Sequence, residues 1–276
     1  MTLISAHQRH QRLVAGERDA LNAPRVCPRV DAAHLAVLVG VGVGAGFLSA
    51  LFGIGGGVVM VPALHYGLGY GWAHATAISL AAIAVTTPSG VLAHARRGAV
   101  DWRLAWPLAV GGLAGVTAGA WLQPRIEVPW LKLLFAGLMA LGAWRMLRPA
   151  LHARWHTRHP AFLLALGLAC GVISKLLGIG GGLLSVPALA LTGTAIRVAV
   201  GSSLVPVFTN AAFASASHLA KGVALLPGLA LAAGGLLGVP FGARAAHRLP
   251  EAGLRRAFAT ALAAAAIAIA ITSGAF

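Results

Sequence analysis

The chemistry available to this chain is concentrated in two glycine clusters. Gly53, Gly55, Gly56 and Gly57 stand in FGIGGGVVMVPAL at 52–64, and Gly178, Gly180, Gly181 and Gly182 stand in LGIGGGLLSVPAL at 177–189. Consecutive glycines reach positive φ without a Cβ, so their backbone N–H groups can converge on a concavity that holds an anion. Each cluster leads into an apolar stretch too short to cross a bilayer, Val58 to Gly67 and Leu183 to Leu191. A half-helix there would aim its unsatisfied N–H groups and positive dipole end at the same concavity. Lys175 lies three residues before Gly178, where the first copy has Ala50. A lysine inside an apolar span costs roughly 3 kcal/mol unless it faces water, snorkels to the interface or pairs with an anion. Thr76, Ser79, Thr86 and Thr87 in the first copy, and Ser203 and Asn210 in the second, are neutral groups that could donate to an oxyanion. Interhelical or backbone hydrogen bonding is their competing role. His94 and His218 occupy matching positions at helix ends, where interfacial placement is expected over proton relay.

Other chemistries find no support. No nucleophile with its base, and no cluster of histidines and carboxylates, occurs at helical spacing within the apolar segments, so no enzyme, metal or cofactor is expected. His152, His156 and His159 fall in a basic loop, Cys27 in a polar tail and Cys170 in an apolar span, which makes neither a metal site nor a disulfide framework. The net charge of +15 comes from arginines clustered at the ends of apolar runs. That is the pattern of the positive-inside rule, and it argues against nucleic acid as a partner.

The elements that must position these groups follow from repetition and hydropathy. The two glycine segments agree at nine of thirteen positions, offset by 178 − 53 = 125, so the chain reads as an internal duplication. Further matches support this: ATAISL at 75–80 with AVGSSL at 199–204, and Gly111, Gly115 and Gly119 with Gly234, Gly238 and Gly242. The chain is 58% hydrophobic and 10% charged, with mean hydropathy +0.83, and no charged residue occurs between Ala32 and Ala95. This composition predicts an all-α polytopic membrane protein. Eight spans are expected near 34–52, 73–93, 104–122, 131–148, 160–177, 198–218, 225–245 and 254–273. A glycine-broken or re-entrant half-helix is expected after the first and the fifth.

The domain reading is a basic tail at 1–33, a first transmembrane repeat at 34–148, a basic linker at 149–159 and a second repeat at 160–276. Four crossings per repeat with a cytoplasmic N-terminus put most arginines inside and leave the group from Arg244 to Arg256 on the wrong side. Counting each glycine segment as a crossing would invert the repeats and move the Arg244 group inside, but the basic tail could not join it; four crossings per repeat are preferred. All six acidic residues lie in the tail or in breaks between apolar runs. Without a membrane carboxylate to carry protons, uniport of an anion along the inside-negative potential is the expected energetics.

The doubled G-I-G-G-G-x-x-x-V-P-A-L, the A-x-x-x-S-L that follows, and HARRGAVDW at 94–102 resemble the TauE/SafE family of sulfite exporters, also called TSUP. The resemblance runs from about Ala36 to the C-terminus. It implies a multi-pass inner-membrane transporter of small sulfur-containing anions such as sulfite or organosulfonates, with the lipid bilayer and that anion as its partners. A permease for another small anion, or a non-transporting membrane protein whose glycines only pack helices, are the alternative readings.

Overall fold

The computed structural model describes residues 31–147, 159–191, 193–219 and 226–272, and all regular structure among them is helical. In chain order the helices are α1 (Ala32–Phe52), the half-helix α2 (Gly57–Pro62, continued by a π turn at Ala63–Gly67), α3 (Trp72–Ala95), α4 (Trp102–Leu122) and α5 (Val128–Leu147). They continue with α6 (Pro160–Leu177), the half-helix α7 (Gly182–Leu191), α8 (Ile196–Leu219), α9 (Leu226–Arg248) and α10 (Glu251–Thr272). Seven of them (α1, α3, α4, α5, α6, α8 and α9) are long and apolar enough to cross a bilayer. The eighth expected span corresponds to α10, which lies along α5. The tail through residue 30, residues 148–158, which include the expected linker except His159, and Lys221 lie outside the described residues.

Local chemistry sets the helix ends. Asp31 and Asp101 cap α1 and α4, accepting from the N–H of His34 at 2.7 Å and of Arg103 at 3.0 Å. Gly53 and Gly178 end α1 and α6 in the left-handed conformation, both at φ 73°, with their N–H groups donating to the carbonyls of Ser49 and Ser174.

The contacts fix which way each helix runs. Tyr70, just before α3, hydrogen-bonds through its hydroxyl to His34 at the start of α1 (3.2 Å). His94, at the far end of α3, reaches the carbonyl of Ala50 near the end of α1 (2.8 Å). The helices α1 and α3 therefore run parallel, and α2 brings the chain back to the end where α1 began. The tip of this hairpin stays inside the protein: Phe52 is buried, and Gly53 lies against Val200 and Ser203, within α8. In the second half Leu163 and Leu189 share one apolar cluster, so α7 likewise returns to the starting end of α6. That end is the opposite one, because α6 starts beside Leu104 and Leu108 in the first turns of α4, next to the His94 end.

Each half thus comprises one helical hairpin and three further helices, and the contacts set the two halves in opposite directions. Four crossings per repeat in the same sense were expected; the contacts give opposite senses instead. Hydropathy could not distinguish them, because α1 is long enough to cross and only its packing shows that the chain turns back at Gly53.

Glycine stripes hold the frame together. In α9, Gly234, Gly238 and Gly242 touch the backbone of Val39, Val43 and Phe47 in α1; in α4, Gly111, Gly115 and Gly119 touch Leu164, Leu168 and Val172 in α6. With no side chain between them the backbones approach to van der Waals contact, the main cohesive force available to helices in lipid. Large apolar side chains such as Trp106, Trp121, Trp130, Leu237 and Phe241 are exposed around the outside, as a lipid-facing surface requires.

Candidate functional site

The two hairpin tips enter from opposite ends and meet inside the protein. Gly57, the first residue of α2, packs against the carbonyl of Gly178 and Ile179 Cα; Gly182, the first residue of α7, packs against the carbonyl of Gly53 and Ile54 Cα. Gly55 and Gly56 have φ of 85° and 75°, and Gly180 and Gly181 have 74° and 85°. An L side chain is strained in that region, and here it would also have no room. A Cβ on Gly56 would sit 2.9 Å from the carbonyl oxygen of Ala45, and one on Gly181 would sit 2.7 Å from that of Cys170. The amides of Gly55, Gly56, Gly180 and Gly181 donate no hydrogen bond among the described residues. Each tip is therefore a buried left-handed turn with unsatisfied donors, placed where a half-helix starts.

Two helices that cross beside the tips complete the site. Ser79 of α3 donates to the carbonyl of Gly178 at 2.9 Å, and Ser203 of α8 donates to that of Gly53 at 2.9 Å. Each hydroxyl pins the hairpin of the other half in its left-handed turn. This differs from the expected role: Ser79 and Ser203 are engaged by glycine carbonyls and do not face a shared cavity as donors. Thr76 donates to Ala73 O at 2.9 Å while its carbon atoms lie about the Cβ direction of Gly178. Thr86 bonds back to the carbonyl of Ala82. Asn210 is fully buried beside Gly112 of α4, and both its amide atoms lack a hydrogen-bond partner; the hydroxyls of Thr87 and Ser174 are in the same position. Three buried polar side chains on α3, α6 and α8 with spare hydrogen-bonding capacity are unusual in a packed interior, where nearly all are satisfied.

Lys175 is buried, with 2% of its surface exposed, so it does not snorkel. Its Nζ lies 2.9 Å from His218 Nε2 and donates to Ala214 O at 3.4 Å. Ala214 is seven residues beyond Val207, about 10 Å along α8 at 1.5 Å per residue. The ammonium group is therefore held on the His34 side of the tips and not in contact with both of them. His94 and His218 lie in the last turns of α3 and α8, as expected, and both are buried there. His94 bridges Ala50 O and His247 Nε2 (3.3 Å), while its counterpart His218 holds the lysine that replaces Ala50.

Sequence reasoning missed Ile83 and Val207. These matched residues of α3 and α8 fill the space between the tips: Val207 Cγ1 lies 2.7 and 2.8 Å from the Cβ directions of Gly55 and Gly180, and Ile83 Cγ2 lies 3.5 and 3.6 Å from them. The offset of the duplication, 207 − 83 = 124, pairs them; apolar residues in apolar spans give no other signal.

The family model described as Sulfite exporter TauE/SafE matches residues 38–269. A probable membrane transporter protein of Xylella fastidiosa (strain 9a5c) is 35% identical over 183 residues, covering 63% of this chain and 70% of that protein. One of Haemophilus influenzae is 32% identical over 172 residues, 59% of this chain and 65% of its own length. The probable membrane transporter protein YunE of Bacillus subtilis is 28% identical over 236 residues, 75% of this chain and 86% of its own. No solved structure matches the chain significantly.

Proposed function

The chain belongs to the TauE/SafE sulfite exporter family, and from that premise we propose that it exports a small sulfur-containing anion, sulfite or a simple organosulfonate, across the inner membrane. The observation that carries the proposal is the meeting of two left-handed glycine turns, each with unsatisfied amides and each starting a half-helix, from opposite ends of the protein. Anionic substrates in carriers built of oppositely directed halves bind where such half-helices converge. Sulfite presents three oxygens in a compact pyramid, which suits a concavity of backbone donors with no side chains.

In the conformation described here the tips touch and Val207 closes the space between them. Admission of the anion requires one hairpin to withdraw from the other. Because Ser79 and Ser203 tie each hairpin to a helix of the opposite half, the moving unit is a hairpin together with its partner helix from the other half, rocking against the second such unit. Lys175 and His218 would then form a cationic station on the route between the tips and the His34 end.

The arginine-rich end carries Arg96, Arg97 and Arg103, the last turn of α9 and the first of α10, and it is the cytoplasmic end by the positive-inside rule. The anion then leaves through the Lys175 side, driven by about 2.3 kcal/mol per charge per 100 mV, enough to favour efflux of a monoanion by tens-fold. The test is uptake of radiolabelled sulfite into proteoliposomes under an imposed potential. Flux that follows the potential at constant pH supports the reading; no sulfite or sulfonate flux above that of protein-free vesicles overturns it. The membrane-protein reading with purely structural glycines would give the second result.

A further inference from the structure

We propose that the outer face of α9 at the arginine-rich end is a binding site for one anionic phospholipid. Leu237, Phe241, Arg244 and Arg248 are spaced by four, three and four residues, so they form a single stripe along the helix. All four are exposed: Leu237 and Phe241 at 62% and 61%, with Arg244 and Arg248 beyond them towards the helix end. A cavity of about 520 Å³ opens at that end, lined by Phe241, Arg244, Ala245, Arg248 and Leu249.

The chemistry of the stripe changes once along its length, from apolar to cationic. Two arginines one helical turn apart can bracket a single phosphodiester, each through a fork of N–H donors matched to its oxygens. The Arg244 guanidinium already lies over the Phe241 ring, 5.8 Å from its centroid, which holds the cation at the boundary of the apolar stripe. Arg197 is engaged elsewhere, donating at 2.8 Å to the carbonyl of Leu249, one of the residues lining the cavity. Glu251 is the only carboxylate in α9, α10 and the turn between them, which leaves the site net positive.

A free phosphate would engage only the arginines. A phospholipid engages both parts, its phosphate between the guanidinium groups and an acyl chain along Phe241 and Leu237. Arg244 and Arg248 take no part in the anion route proposed above. The site's position at the cytoplasmic end agrees with the leaflet in which basic pockets between transmembrane helices take anionic headgroups.

The experiment is native mass spectrometry of the purified chain in detergent with dioleoyl phosphatidylglycerol, dioleoyl phosphatidylcholine or glycerol 3-phosphate added in turn. The comparison variants are R244Q/R248Q and R96Q/R97Q, the latter removing two arginines at the same end but off the stripe. The expected result is one retained phosphatidylglycerol, preferred over phosphatidylcholine on the order of ten-fold, with the preference lost in R244Q/R248Q and kept in R96Q/R97Q. Equal loss in both variants would show diffuse attraction to a basic surface and overturn the site. Absence of any preference in the parent would overturn it too, and glycerol 3-phosphate retained as well as the lipid would overturn the assignment to a phospholipid.

Discussion

Gly56 and Gly69 have nearly the same backbone, φ 75° and 71°, in very different surroundings. A Cβ on Gly69 meets nothing within 4 Å, whereas one on Gly56 meets the carbonyl of Ala45 at 2.9 Å and has α1 behind it. Gly69→Ala should therefore cost only the left-handed penalty, roughly 1–2 kcal/mol, and leave sulfite flux near that of the parent. Gly56→Ala and Gly181→Ala add a backbone clash at the tips, and should abolish flux while a detergent-solubilised protein still unfolds cooperatively on heating. Equal flux from Gly56→Ala and Gly69→Ala would reduce the glycine turn to a packing device. Lys175 admits a similar separation. Lys175→Met removes a buried charge and should leave the chain folded, but if the ammonium contacts the anion, sulfite affinity should fall by about 1.5–3 kcal/mol in a titration of the purified protein. Unchanged affinity would mean that Lys175 serves only to join α6 to α8 through His218. The glycines and the lysine were legible because their types are out of place in apolar spans. The use of Ser79 and Ser203 was not, because a hydroxyl in a helix offers the same chemistry to a substrate and to a carbonyl ninety-nine or a hundred and fifty residues away.

At the scale of the helix, the glycines divide by the face on which they stand. Gly238 of α9 packs on the backbone of Val43 and Phe47, while Gly40 of α1 has open space around it. Gly238→Leu should force α9 away from α1 and give an aggregated or polydisperse protein by size-exclusion chromatography in detergent; Gly40→Leu should elute as the parent does. A monodisperse Gly238→Leu would show that the α1–α9 contact tolerates separation and does not frame the protein. The small-xxx-small spacing of Gly234, Gly238 and Gly242 was enough to read them as packing residues from the sequence. The partner helix was not readable, because the stripe of one half packs on the first helix of the other half and the spacing carries no information about which helix that is. Span boundaries were legible for a simpler reason: apolar length is set by the bilayer, and expected and observed ends differ by three residues or fewer.

At the scale of the molecule, the question is the direction of the two halves, and here charge and packing had to be read together. With the halves taken as parallel, the arginines near the end of α9 and the start of α10 were misplaced. With α2 and α7 returning to the ends where their hairpins began, those arginines join Arg96, Arg97 and Arg103 at one end. The end opposite, with Asp31, Arg125 and Lys132, is poor in cations among the described residues. On the proposed orientation the start of α1 faces away from the cytoplasm, whereas counting four crossings per repeat puts it inside. The two short links after the half-helices decide between these arrangements, because Gly67 follows α2 and Gly193 follows α7, both exposed and both with open space around them. In a background with Cys27 and Cys170 replaced by serine, Gly67→Cys should react with a membrane-impermeant maleimide added to intact spheroplasts, and Gly193→Cys should react only after the membrane is permeabilised. Labelling of both cysteines from the same side would mean that the halves are parallel in the membrane. The hairpin tips could not then approach the anion from opposite faces, and alternating access by rocking of one hairpin unit against the other would lose its structural basis.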